Sequence, residues 1–265
     1  ALVQDETTLA TGAGWVYCHF ALGPVLATVV EDLASQILSL FIYAPATKIS
    51  TLFPLGLPPV AQFDAAPVQG DPTRWALTYT DPATPGVLYV EHRDAAGVLL
   101  AGTTLPVVAQ YLGITARSTV GTAVAYQTAG NVVFRALFPD PLGAATDNTA
   151  ITAAGAVAPF SHLSVDIDDS ANCVVLFEGT YLGVKACYAR GLDSAGTLAG
   201  AIQRGVNALA TSRVKIINGR AFATLILEAD RGGNVWTSVL ACVDRYTGLS
   251  PNAFQLCGVL NTTAS

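Results

Sequence analysis

Arg74-Trp75-Ala76-Leu77-Thr78-Tyr79-Thr80, then Asp81-Pro82-Ala83-Thr84-Pro85-Gly86, then Val87-Leu88-Tyr89-Val90-Glu91-His92: this stretch decides how the chain is read. Two runs rich in aromatic and β-branched residues flank a break rich in proline and glycine, which is the pattern of a β-hairpin. Directly after it comes Asp94-Ala95-Ala96-Gly97, a second turn.

The same arrangement recurs along the chain. Ala123 to Thr128 and Asn131 to Leu137 form a hairpin across Ala129-Gly130, followed by Asp140-Pro141-Leu142-Gly143. Cys173 to Glu178 and Val184 to Ala189 form another, followed by Asp193-Ser194-Ala195-Gly196. Ala221 to Ala229 and Val235 to Asp244 form the last, followed by Asp244-Arg245-Tyr246-Thr247-Gly248. The closing glycines stand at 97, 143, 196 and 248, in steps of 46, 53 and 52 residues. That period belongs to repeat or blade architectures.

Other segments carry helical spacing. From Pro24 to Phe41, the residues Val25, Val29, Leu33, Ile37 and Leu40 recur on one face, and Pro24 suits a first helical position. Leu198, Ile202, Val206 and Leu209 repeat the spacing, and Pro106 to Leu112 reads as a short helix. A four-stranded blade has no place for helices. The expected fold is therefore a β-rich α+β arrangement, antiparallel hairpins interleaved with a few short helices, in a single domain over 1–265. An all-β propeller-like fold or a viral-type β-sandwich is the alternative.

Composition points to function by exclusion. Charged residues make up 12% of the chain and apolar ones 52%, with a mean hydropathy of +0.48; ordinary soluble domains carry about 25% charge. Surface so poor in charge is most simply explained when neighbouring subunits cover it. The net charge is −6, and the 13 basic residues are scattered. Arg231 and Arg245 flank a strand and Lys215 lies near Arg220, but no run attracts nucleic acid. The amino terminus shows neither the basic nor the apolar region of a signal peptide. Residues 9–30 are uncharged but broken by His19, glycines and Pro24, so no membrane span is expected.

Searches for chemistry return little. There is no G-x-S-x-G elbow and no phosphate-binding loop, and Gly12-Ala13-Gly14 precedes a strand rather than a helix. His19, His92 and His162 have no readable orienting partner. Glu178 and Glu228 each end the first strand of a hairpin, as solvated turn residues do. Trp15, Trp75 and Trp236 lie in strands, as core anchors or as a stacking surface for sugars.

Asp166-Ile167-Asp168-Asp169-Ser170-Ala171-Asn172 alternates oxygen donors as a calcium loop does, but Ala171 replaces the required glycine and Phe177 the closing glutamate. The five cysteines contain no CxxC. A hairpin about Thr180 would set Cys173 opposite Cys187, and a turn at 248–251 would bring Cys242 near Cys257.

No residue is assigned a catalytic role, no cofactor is expected, and the metal question rests on the Asp166–Asn172 loop. The expected function is a non-enzymatic assembly protein, such as a virion shell, capsid-associated or tail component, acting as a homo-oligomer or beside other subunits. The alternative is an extracellular carbohydrate-binding module or glycan-acting hydrolase.

Overall fold

A computed structural model describes residues 15–32, 35, 37–153, 163–181, 184–204, 212–217, 222–230, 235–244 and 255–263. Among these residues every regular element is a strand, and the strands fall into five consecutive antiparallel meanders of four. The first blade holds β1 (Trp15–Leu22), β2 (Val25–Asp32), β3 (Ile37–Ala44) and β4 (Ile49–Pro54). The second holds β5 (Gln62–Gln69), β6 (Arg74–Thr80), β7 (Leu88–Asp94) and β8 (Leu99–Leu105). The third holds β9 (Ala109–Arg117), β10 (Gly121–Thr128), β11 (Val133–Phe138) and β12 (Asp147–Ala150). The fourth holds β13 (Leu163–Ile167), β14 (Cys173–Tyr181), β15 (Val184–Leu192) and β16 (Leu198–Arg204). The fifth holds β17 (Ser212–Ile217), β18 (Phe222–Asp230), β19 (Val235–Asp244) and β20 (Gln255–Thr263).

First strands of successive blades lie side by side, β1 on β5, β5 on β9, β9 on β13 and β13 on β17. Between β5 and β9 the contact becomes a short parallel ladder, Val68 with Ala116 and Gln69 with Arg117. Serial four-stranded meanders sharing an inner row are a propeller-like architecture.

The four hairpins read from the sequence are the second and third strands of blades two to five. Gly97, Gly143 and Gly196 fall in the connection from third to fourth strand, and Gly248 lies outside the described residues. The α+β expectation is wrong. The segment read as a helix from Pro24 to Phe41 is the β2–β3 hairpin, Pro106–Leu112 leads into β9, and Leu198 and Ile202 belong to β16; residues 205–211 lie outside the described ones. In β2 every residue from Ala27 to Glu31 is buried, the signature of an inner strand covered on both faces. Continuous burial produces an apolar run in which a helical spacing is found by coincidence, whereas the β-branched content of Val25, Val29, Val30, Ile37 and Ile42 carried the right signal.

Neighbouring blades from the first to the fourth share cores. Leu22, Val29, Leu40, Trp75, Leu77 and Tyr79 fill the space between the first and second blades. Val90, Ile114, Val124, Tyr126 and Phe138 fill that between the second and third. Ala125, Leu137, Val175, Phe177, Tyr188 and Leu192 fill that between the third and fourth. A cross-strand aromatic pair recurs at the same blade position in all three: Tyr79 with Tyr89, Tyr126 with Phe134, and Phe177 with Tyr188, with centroids 4.8, 5.4 and 5.5 Å apart. Such stacking adds to area burial.

Candidate functional site

Strand alternation decides which side chains enter each cleft between blades. On β7, Tyr89, Glu91 and Arg93 share the face turned to the first blade, and there the polar groups are satisfied by the protein itself. Arg93 Nε donates to Glu91 Oε2 at 2.7 Å, its Nη1 donates to the carbonyls of Leu55 and Gly97, and Tyr79 Oη donates to Glu91 Oε1 at 3.0 Å. Burial and the neighbouring Glu91 carboxylate raise the Tyr79 hydroxyl far above its usual range.

Between the second and third blades the charged groups are likewise matched. Arg74 forms a two-pronged pair with Asp140, both bonds 3.0 Å, and its Nε donates to Asp71 at 2.6 Å. Thr73 and Arg74, donating to the Asp71 carboxylate, hold it down at about 2. His92 is buried, 2.7 Å from the Thr122 hydroxyl through Nε2 and 4.0 Å from Asp140 through Nδ1.

The third cleft, between blades three and four, differs. Arg135 lies in the middle of β11, fully buried, with Nη1 2.6 Å from Asp147 Oδ2. The two form a tight buried ion pair, and Nε and Nη2 of Arg135 have no hydrogen-bond partner among the described residues. Gln127 is buried too. Its amide nitrogen donates to Asn131, while its Oε1 has no hydrogen-bond partner among the described residues. Arg190, on the same face of β15 as Tyr188, sends Nη1 to the Ile151 carbonyl at 2.6 Å. Above Asp147 lies the turn at Gly196 (φ +79°), where a Cβ would come within 2.3 Å of Oδ2.

A buried polar atom left unmatched costs on the order of 1–3 kcal/mol. Several of them lie in this one cleft, on the side of the stacked Phe177 and Tyr188.

The sequence-derived candidates do not converge here. Asp168 is a turn former: its Oδ1 accepts the N–H groups of Ser170 and Asn172, and its Oδ2 accepts the Asn172 amide. Asp166 is buried in β13 and accepts the Ile167 N–H, while Asp169 pairs outward with Arg117 at 3.0 Å. Those oxygens are turned apart, and among the described residues no cluster of three or more His, Cys, Asp or Glu is placed to hold a metal.

Cys173 is opposite Leu192 and Cys187 opposite Glu178, because the hairpin turns after Tyr181 rather than at Thr180. A five-residue offset is about 17 Å along a strand, too far for a disulfide. Cys242 faces Gln255, and Cys257 lies two residues further, beside the register shift after Leu240.

Glu178 and Glu228 sit within β14 and β18 rather than at their ends. His19 meets the Thr28 hydroxyl at 2.9 Å, and His162 lies outside the described residues. Trp75 is a core anchor, its Nε1 donating to the Asp94 carbonyl at 2.7 Å; Trp15 and Trp236 lie on β1 and β19. Sequence reading missed Arg135, Asp147, Gln127 and Arg190. The one available signal was Arg135 itself, a charge inside the apolar run Val132 to Phe138.

No protein-family model matches the chain, and no curated protein does. Solved structures do. The chain is similar to a variant of the Aleuria aurantia lectin in complex with alpha-methyl-L-fucoside, with a TM-score of 0.61, 13% identity, and coverage of 95% of this chain and 78% of that one. It is also similar to the fucose-specific lectin from Aleuria aurantia (TM-score 0.58, 12% identity, 95% and 78% covered). A third similar structure is the SapL1 lectin in complex with alpha-methyl fucoside (TM-score 0.60, 12% identity, 94% and 82% covered). The class defined is thus an all-β, propeller-like fold shared with fucose-binding lectins. At 12–13% identity the likeness concerns the fold.

Proposed function

We propose that the protein is a carbohydrate-binding module, and that it binds sugar in the cleft between its third and fourth blades. The observation that carries this reading is the hydrogen-bonding capacity that Arg135 and Gln127 leave unmatched among the described residues, next to the Arg135–Asp147 ion pair. A sugar offers hydroxyls that both donate and accept and an apolar face that lies on an aromatic ring. A guanidinium, a carboxylate and an amide oxygen answer the hydroxyls, with the buried Phe177–Tyr188 pair as the floor beneath them. The structural likeness to lectins crystallised with a fucoside supports the same reading and suggests the probe. An extracellular location goes with it.

Titration calorimetry with alpha-methyl-L-fucoside and a panel of neutral monosaccharides tests the proposal. Binding by the wild type is expected, weakened roughly tenfold or more by Asp147→Asn or Arg135→Gln, since each replaces a charge-assisted hydrogen bond, worth about 1.5–3 kcal/mol, by a neutral one. Circular dichroism checks that each variant folds. Absence of any heat or thermal shift with the wild type at millimolar sugar would overturn the assignment. The assembly reading drawn from low charge keeps one specific observation in its favour, the outer strand of the first blade.

A further inference from the structure

Outer strands of a propeller expose a row of backbone N–H and C=O groups, and natural sheets blunt such edges with short strands, charges or bulges. Three of the outer strands here meet their neighbours through a register shift: β8 at His92/Arg93, β16 at Ala189/Gly191 and β20 at Leu240/Ala241. β12 is four residues long and begins with Asp147. β4 has neither a register shift nor a charge within it, and its protection is confined to its ends, Lys48 before the strand and Pro54 as its last residue. Its ladder with β3 runs unbroken from Ala44–Ile49 to Ser39–Pro54, it carries no charge, and Ile49 and Leu52 are 60% and 61% exposed. Lys48 is the single charge between residues 37 and 63.

We propose that β4 is a self-association edge, pairing antiparallel with β4 of a second copy about a two-fold axis through Thr51. An exposed backbone edge takes an extended strand, and the sequence of β4 answers itself. Antiparallel pairing about that axis keeps each residue on its own face. It sets Ile49 against Phe53, Ser50 against Leu52 and Thr51 against Thr51 of the second copy. β-Branched with aromatic and threonine with threonine are favourable cross-strand pairs. Charge does not oppose the arrangement, because the two Lys48 residues end up about 20 Å apart at 3.3 Å per residue, twice the screening length at ordinary salt. A symmetric contact of this kind closes as a dimer and does not propagate.

The test is sedimentation velocity from about 100 µM down to about 1 µM, the range in which a small interface dissociates. The wild type is expected to pass from dimer to monomer on dilution. Thr51→Lys, which sets two like charges opposite each other on an exposed position, is expected to raise the dissociation constant roughly tenfold or more while leaving the thermal midpoint of the dilute monomer unchanged. Thr51→Cys is expected to be trapped as a covalent dimer under mild oxidation where the wild type is not. A wild type monomeric at the top of the range, or a dimer indifferent to Thr51→Lys and untrapped by Thr51→Cys, would overturn the proposal.

Discussion

His92 joins two blades through a single proton. It stands on β7 of the second blade, 2.7 Å from the Thr122 hydroxyl on β10 of the third, and burial lowers its pKa below 6.5, with Asp140 raising and Arg74 lowering it in turn. Because the folded-state pKa is depressed, the unfolded chain binds a proton that the folded chain resists. The stability contributed by neutral His92 is therefore complete above pH 6.5 and is lost as pH falls below it, at a slope of up to about 1.4 kcal/mol per pH unit. Thermal melts at pH 7.5 and 5 should show the wild type losing more than His92→Gln, and equal losses would refute the assignment. Arg135 teaches a second lesson at this scale. Its place in an apolar run was a signal that went unread, and Asp147 and Gln127 look like ordinary turn and strand residues. What makes them a candidate site is the buried Arg135–Asp147 pair with atoms of Arg135 and Gln127 left unmatched among the described residues, which only the folded arrangement defines.

At the scale of elements, the hairpins were legible because alternation, β-branched content and turn chemistry all agreed. Asp94, Asp168 and Asp193 show why the turns were readable. In each, Oδ1 accepts two backbone N–H groups, from residues two and four further on, and a residue with positive φ follows three positions later: Gly97 (+81°), Ala171 (+65°) and Gly196 (+79°). The apparent calcium string is thus the same turn with alanine where glycine usually stands. Helices were misread where burial is continuous, since a strand covered on both faces loses the period of two that identifies it. Close approach between elements was also invisible in sequence. Gly121 (φ +133°) lies so near β11 that an added Cβ would sit 2.0 Å from the Phe138 carbonyl oxygen, whereas Gly56 (φ +65°) has nothing within 4 Å. Gly121→Ala is expected to cost roughly 2–3 kcal/mol and Gly56→Ala only the strain of its backbone, about 1–2 kcal/mol. Chemical denaturation of both variants measures the difference, and equal losses would show that the contact with β11 is relieved at little cost.

For the whole molecule, the unit of stability is the joint between blades rather than the blade. A four-stranded meander alone has two faces and no core; Trp75, Leu77 and Tyr79 of the second blade become buried only with Leu22, Val29 and Leu40 of the first. Trp75→Ala should therefore cost about 3–5 kcal/mol, and the loss should not stay in β6. Hydrogen exchange is expected to quicken together in β1–β4 and β5–β8, because both lose cover when the shared core is emptied, while β13–β15 keep the protection given by their separate core with the third blade. Exchange that rises only in β6 and its two ladder partners would mean that each blade carries its own stability. In that case the clefts between blades, including the one holding Arg135 and Asp147, would be surfaces of contact rather than the structural core of the fold.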